Sequence, residues 1–133
     1  MTTNMLTQLE IRRVLENYLY FVDMQDAKAV AACFAENGRF ESTAPGTTPV
    51  QGRENLTKFF EGLVRLGKTI HGLSNLSIDV DGERAKSKSF CVSYIAGSAK
   101  PGDPILVRGL SYEDLWVREN QQWVISARLH MPI

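Results

Sequence analysis

Histidine and cysteine are scarce in this chain of 133 residues, with two of each. Cys33 and Cys91 lie far apart and show no Cys-x-x-Cys or Cys/His spacing, so neither a disulfide framework nor a zinc site is suggested. Both read as small buried hydrophobes. An excess of charge of one sign is also missing: 15 Lys plus Arg balance 15 Asp plus Glu. Nucleic-acid binders neutralise phosphates with a clustered basic surplus, so nucleic acid and anionic membranes are not expected partners. Nowhere do about 18 apolar residues run together, and the first residues show no basic stretch followed by an apolar run. The expectation is a cytoplasmic protein that crosses no membrane. A Gly-rich phosphate loop, a Gly-x-Ser-x-Gly elbow and a His-Glu-x-x-His pair are absent too, so no metal and no cofactor is expected.

What is present has the balance of an ordinary globular protein, 44% apolar and 23% charged. A chain of this length fits a single domain over residues 1–133. Ile11, Val14, Leu15, Tyr18, Leu19 and Val22 fall on one helical stripe. Asp26 can cap a second helix with Val30, Cys33 and Phe34 facing inward, ending before Asn37-Gly38. A loop marked by Pro45, Gly46 and Pro49 follows. A third helix, Arg53 to Leu66, carries Leu56, Phe59, Phe60 and Leu63 on one face and stops at Gly67.

Beyond Gly67 the period changes to two. Leu76, Ile78 and Val80 alternate with polar residues up to an Asp81-Gly82 turn, and strand patterns follow around Phe90–Tyr94, Ile105–Arg118 and Trp123–Leu129. Three helices followed by antiparallel strands indicate an α+β fold, with the helices packed in a curved sheet that leaves an internal pocket.

Few groups in this pattern can carry chemistry. Counting by fours from Leu15 through Leu19 reaches Asp23, a carboxylate in the apolar stripe at the C-terminal end of helix 1, where the helix dipole opposes its charge. It needs a hydrogen-bonding or cationic partner, either in a site or as a helix-end bridge to an arginine. Tyr18 shares the stripe, and a buried phenol needs a partner for its hydroxyl unless it is simply a core aromatic. His71 lies between helix 3 and the first long strand, at the wall or mouth of any cavity, where a lone histidine can equally be structural. His130, near the end of the chain, is the weaker candidate. Trp116 and Trp123 read as core.

Taken in order, Tyr18-Leu-Tyr-Phe-Val-Asp23-Met-Gln-Asp26, Ala32-Cys-Phe-Ala-Glu-Asn-Gly38, Gly52-Arg-Glu54, His71-Gly-Leu-Ser-Asn75, Gly109-Leu-Ser-Tyr112-Glu-Asp114 and Trp123-Val-Ile125 span nearly the whole chain. This series resembles the nuclear-transport-factor-2-like superfamily, in particular its polyketide-cyclase (SnoaL-like) and scytalone-dehydratase-like group. The resemblance implies a cone of sheet around three helices, open at its wide end. Scytalone dehydratase and the hexachlorocyclohexane dehydrochlorinase use a catalytic Asp-His pair, which corresponds to Asp23 and His71 here, and Thr69-Ile-His71 is close to the dehydrochlorinase pattern. A tyrosine five residues before the Asp, as in bile-acid dehydratase, corresponds to Tyr18. Where ketosteroid isomerase has its carboxylate base this chain has Ser42, and where several dehydratases carry a second acid or histidine it has Ser93.

The function so implied is a cofactor-free lyase of the dehydratase type, or an isomerase, acting on a small, largely apolar molecule. His71 is the expected base, Asp23 its orienting carboxylate and Tyr18 a donor to a substrate oxygen. Ser42, Phe59, Ser93 and Tyr112 are expected to line the pocket. The alternative is a non-catalytic ligand-binding or assembly subunit. Alternation in Lys86–Tyr94 sends Phe90, Val92 and Tyr94 outward and Ser87, Ser89, Cys91 and Ser93 inward, so the outer face is expected to pair in a homodimer.

Overall fold

The computed structural model describes residues 2–133. Helix α1 (Thr3–Asp23) is capped by Thr2, whose hydroxyl accepts from the Met5 amide at 3.2 Å, and it buries Ile11, Leu15, Tyr18 and Leu19 as its spacing requires. Asp26 caps α2 (Ala27–Ala32) through the Ala29 amide at 3.1 Å. The chain continues as strand β1 (Phe34–Ser42), β2 (Val50–Gln51), α3 (Arg53–Glu61), a 3-10 helix (Gly62–Leu66), and strands β3 (Lys68–Asp81), β4 (Arg84–Gly97), β5 (Leu106–Glu119) and β6 (Gln122–Pro132). The six strands form one curled, open sheet in the order β2-β1-β6-β5-β4-β3.

Three features depart from the pattern of the sequence. The second helix stops at Ala32, and Phe34 opens a strand instead of completing a helical stripe. The Ile125 amide donates to the Cys33 carbonyl at 2.9 Å, and Phe34 stands in register with Ile125, so sheet pairing outweighs a short run of helical period. Gly38 permits this packing, because a Cβ there would lie 2.8 Å from the Phe34 Cβ and 3.0 Å from the Ile125 carbonyl. Two strands, β1 and β2, therefore separate helices 2 and 3. Second, the sheet is not wholly antiparallel, because β1 runs parallel to β6. Third, β3 begins at Lys68, well before the alternation at Leu76, and a register shift between Leu73 and Leu76 conceals the early part. His71 thus lies within a strand and not in a connection.

Gly67 makes the turn into β3. Its φ is +66°, and a Cβ would lie 2.7 Å from the Gly97 Cα, so both conformation and space demand glycine. Arg53 ties α3 down, with Nε and Nη2 donating to the Phe34 carbonyl at 2.9 and 2.7 Å and Nη2 also reaching Glu119 at 3.0 Å. The helices cover the concave face around Ile11, Leu15, Phe34, Leu56, Trp116 and Ile125. Ser87, Ser89, Cys91 and Ser93 are buried on that face, while Phe90 and Tyr94 are exposed on the other. Cys33 and Cys91 are buried free thiols.

Candidate active site

The C-terminal end of α1 meets the edge of the sheet. Asp23 is the last residue of α1, where the free carbonyls of the final turn disfavour a negative charge. Three donors offset that. The Thr69 hydroxyl lies 2.9 Å from Oδ1, the His71 amide 2.8 Å from Oδ2, and His71 Nδ1 2.7 Å from Oδ1. Because β3 is an edge strand, its outward amides have no strand beside them, and Asp23 takes one of these open positions. The ring that meets this helix-end carboxylate is that of His71, and its partner is not an arginine.

An ionised carboxylate only accepts, so Nδ1 carries the ring proton and Nε2 of neutral His71 presents a lone pair. Ser93 stands opposite His71 in the β3–β4 register, with its hydroxyl 3.1 Å from Nε2. His71, Thr69 and Ser93 border a cavity of about 280 Å³ between the concave face and helices α1 and α3. Tyr18, Ser42, Phe59, Phe60, Leu110 and Tyr112 also line it. Asp23 stands behind His71 and does not form part of the wall. Tyr18 is buried, and desolvation holds its hydroxyl well above the ordinary phenol pKa, so it remains a proton donor.

Two further groups belong to this region: His130, the weaker candidate of the sequence, and an ion pair that the sequence does not reveal. His130 lines the same cavity, with its Nδ1 2.9 Å from the Ser42 hydroxyl. Burial first, then the charges of Arg128, Arg108 and His71, push its pKa down to about 4. The second group is an ion pair beneath the cavity. Arg128 Nε lies 3.6 Å from Asp114 Oδ1, both side chains are essentially inaccessible, and the guanidinium is sandwiched at 4.3 Å from the Tyr18 ring centre and 3.6 Å from that of Tyr112. Burial raises the Asp114 carboxyl to about 6, against the pull of Arg128 and Ser87. Asp114 is in phase with Leu110, Tyr112 and Trp116, all buried, and that parity is the sequence signal that could have located it.

The lowered pKa of His130 has a consequence for stability. The folded ring stays neutral down to about pH 4, whereas the unfolded chain takes up the proton near the ordinary histidine value of 6.5. Between these limits the unfolded state binds more protons, so the contribution of His130 is complete above the upper limit and lost as pH falls towards the lower. Asp114 acts oppositely across much of that window, since its folded pKa is raised from 3.8 to about 6 and acidification relieves its burial. Urea midpoints should therefore show His130→Phe gaining stability relative to the parent protein on going from about pH 7 to about pH 5. Parallel pH dependence of the two proteins would rule out a neutral, buried ring.

The fold and the pocket define a class of protein: an α+β chain in which a curled sheet and three helices enclose a small-molecule cavity with an Asp-oriented histidine on its wall. The profile of the SnoaL-like domain matches residues 3–129, and the chain belongs to that family. Among solved structures, a protein of unknown function from Mycobacterium tuberculosis superposes with a TM-score of 0.86 at 27% identity, over 98% of this chain and 73% of that one. A provisionally named scytalone dehydratase from Novosphingobium aromaticivorans gives a TM-score of 0.86 at 26% identity, over 98% of this chain and 87% of that one. An NTF2-like protein with a cystatin-like fold from the same organism gives 0.79 at 20% identity, over 100% of this chain and 90% of that one, and speaks for the fold alone. No curated protein matches the chain. No helix among the described residues is long and apolar enough to cross a membrane.

Proposed function

We propose that this protein is a cofactor-free lyase of the dehydratase type, or an isomerase, in which His71 removes a proton from a carbon of a small, largely apolar substrate. The observation that carries this reading is the 2.7 Å contact from Nδ1 to Asp23, which leaves the Nε2 lone pair at the cavity wall. Before substrate enters, that lone pair is engaged by the Ser93 hydroxyl. An acidic C–H takes its place, the proton passes to Nε2, and Asp23 stabilises the resulting imidazolium as carboxylates do in other histidine-based sites. Tyr18 donates to a substrate oxygen on which charge grows. The phenylalanine-rich wall excludes water and strengthens each of these interactions. The resemblance to a protein named as a scytalone dehydratase supports elimination as the first chemistry to test. The charged side chains on the cavity wall are the exposed Arg65 and Arg108, which disfavour a cationic ligand.

The test is a panel of β-hydroxy and β,γ-unsaturated ketones with one or two rings, incubated in D2O without additives and followed for elimination, double-bond migration or deuterium uptake at carbon. Turnover or deuterium exchange at carbon by the parent protein is the expected result. Ligands bound without turnover or exchange would instead favour a binding subunit.

The outer face carries the second part of the proposal, a homodimer. Ile70, Tyr94 and Val107 form a cross-strand row there and Phe90 lies nearby, each 40–55% exposed. An exposed apolar patch on the outer face of a sheet calls for a partner. Light scattering at micromolar concentration should give twice the chain mass, and Phe90→Lys with Tyr94→Lys should give a folded monomer. A monomeric parent protein would remove this part.

A further inference from the structure

On β6, three strands along the sheet from the β3 that carries the proposed base, the cavity wall holds a second histidine with a hydroxyl beside its Nδ1. His130 stands in register with both Tyr112 and Ser42, so that Ser89, Tyr112, His130 and Ser42 form one cross-strand row on the concave face. The Ser42 hydroxyl accepts from the Ala44 amide at 3.2 Å and lies 2.9 Å from His130 Nδ1. Its own proton then has Nδ1 as its one acceptor among the described residues. A hydroxyl that donates there leaves Nδ1 unprotonated, and in a neutral ring the proton then sits on Nε2. Nε2 has no protein partner among the described residues, yet it is not among the sealed, unpaired atoms of the interior. It is open to whatever fills the cavity.

We infer that His130 is a hydrogen-bond donor, through Nε2–H, to a carbonyl oxygen of the substrate, so that the substrates of this site are carbonyl compounds whose acidic carbon adjoins that oxygen. Its chemical role rests on the proton abstraction proposed above. When the C–H proton passes to His71 Nε2, the electron pair of that bond becomes the C=C bond of an enolate and the carbonyl π pair moves onto oxygen. His130 meets that oxygen from the sheet wall and Tyr18 from the helix wall. The enolate then re-forms the carbonyl, either expelling a β-hydroxyl, which leaves as water with the proton held on His71 Nε2, or, where a double bond is conjugated, taking that same proton at the far carbon. In both cases His71 returns to its neutral form. A donor that stays neutral keeps its proton throughout and neutralises growing charge by hydrogen bonding alone.

The two histidines thus have opposite polarity: an acidic partner at Nδ1 makes Nε2 of His71 an acceptor, and a hydroxyl at Nδ1 makes Nε2 of His130 a donor. This arrangement explains why a serine occupies position 42: its role there is to orient a donor, not to act as a base.

The experiment needs no turnover. Nitrogen NMR of the intact protein should show His130 with protonated Nε2 and bare Nδ1. Binding of 2-naphthol, whose hydroxyl oxygen stands in for the enolate oxygen, is compared with that of naphthalene by fluorescence. The parent protein should prefer 2-naphthol by about tenfold or more, the range of one hydrogen bond in a dry site. His130→Phe, which keeps a flat ring, should abolish the preference. His130→Gln, which returns an N–H near the position of Nε2, should restore part of it. A proton on Nδ1, equal binding of the two rings by the parent protein, or an unchanged preference in His130→Phe would each overturn the inference. Because none of these readouts involves proton abstraction, they can fail while the Asp23–His71 reading stands, and they can succeed where no turnover is found.

Discussion

His71→Ala is expected to lower turnover by about a hundredfold or more while the protein remains folded. His71 lines the cavity, so its loss removes the proposed base without opening a large void in the packed core. Asp23→Asn tests a different link in the same chain of contacts. Its carboxylate accepts from three donors, and an amide offers only one oxygen while turning an NH2 group towards one of those donors. The ring then loses both its fixed tautomer and the charge that stabilises the imidazolium. Since Asp23 does not touch the cavity, kcat should fall with KM nearly unchanged, which separates it from a wall residue. Near-full activity in a folded His71→Ala protein would require another base, and activity in Asp23→Asn with an unaltered pH profile would show that Asp23 serves only to hold α1 to β3.

Arg128→Ala is expected to destabilise the protein by about 3–5 kcal/mol, a large fraction of the 5–15 kcal/mol that holds a typical domain together. The substitution strands Asp114 in a place that water does not reach and removes the cation packed between two tyrosine rings. Asp114 is already pushed up to about 6 by burial, and without Arg128 it is driven higher and takes up a proton near neutrality. Replacing both partners together, as Arg128→Met with Asp114→Leu, should recover most of the loss, because the cost of a broken pair lies in the lone charge left behind. Urea denaturation of the two proteins decides it. If the single variant is as stable as the parent, the pair contributes nothing that its burial suggests.

Several parts of the site could be read directly because they obey a single period. Helix α1 keeps one stripe from Ile11 to Leu19, so counting by fours places Asp23 in line with the core, and β4 alternates without interruption from Ala85 to Ser93, so its small inward face and large outward face follow from parity. Other parts broke the period. Val30, Cys33 and Phe34 have helical spacing, yet Phe34 belongs to a strand because β6 pairs with it. The shift near Leu73 hides the beginning of β3 and with it the setting of His71. Between Leu115 and Trp116 the β5–β6 register slips, so Arg128 could not be assigned to a face by alternation along β6.

By itself, the amino-acid sequence determined the helical stripes, the turns and the sidedness of β4, since each depends on residues a few positions apart and on the fixed periods of helix and strand. It also placed a carboxylate at the end of α1, a position that is unfavourable without donors. Only the tertiary structure decided which donors those are, because Asp23 and His71 are separated by 48 positions and meet only when α1 packs against the edge of the curled sheet. The same holds for Ser42 with His130 and for Asp114 with Arg128, whose contacts cross strands. A polar side chain in a buried row takes its ionisation and its donor or acceptor role from partners that chain closure brings beside it, and a one-dimensional pattern does not contain that closure.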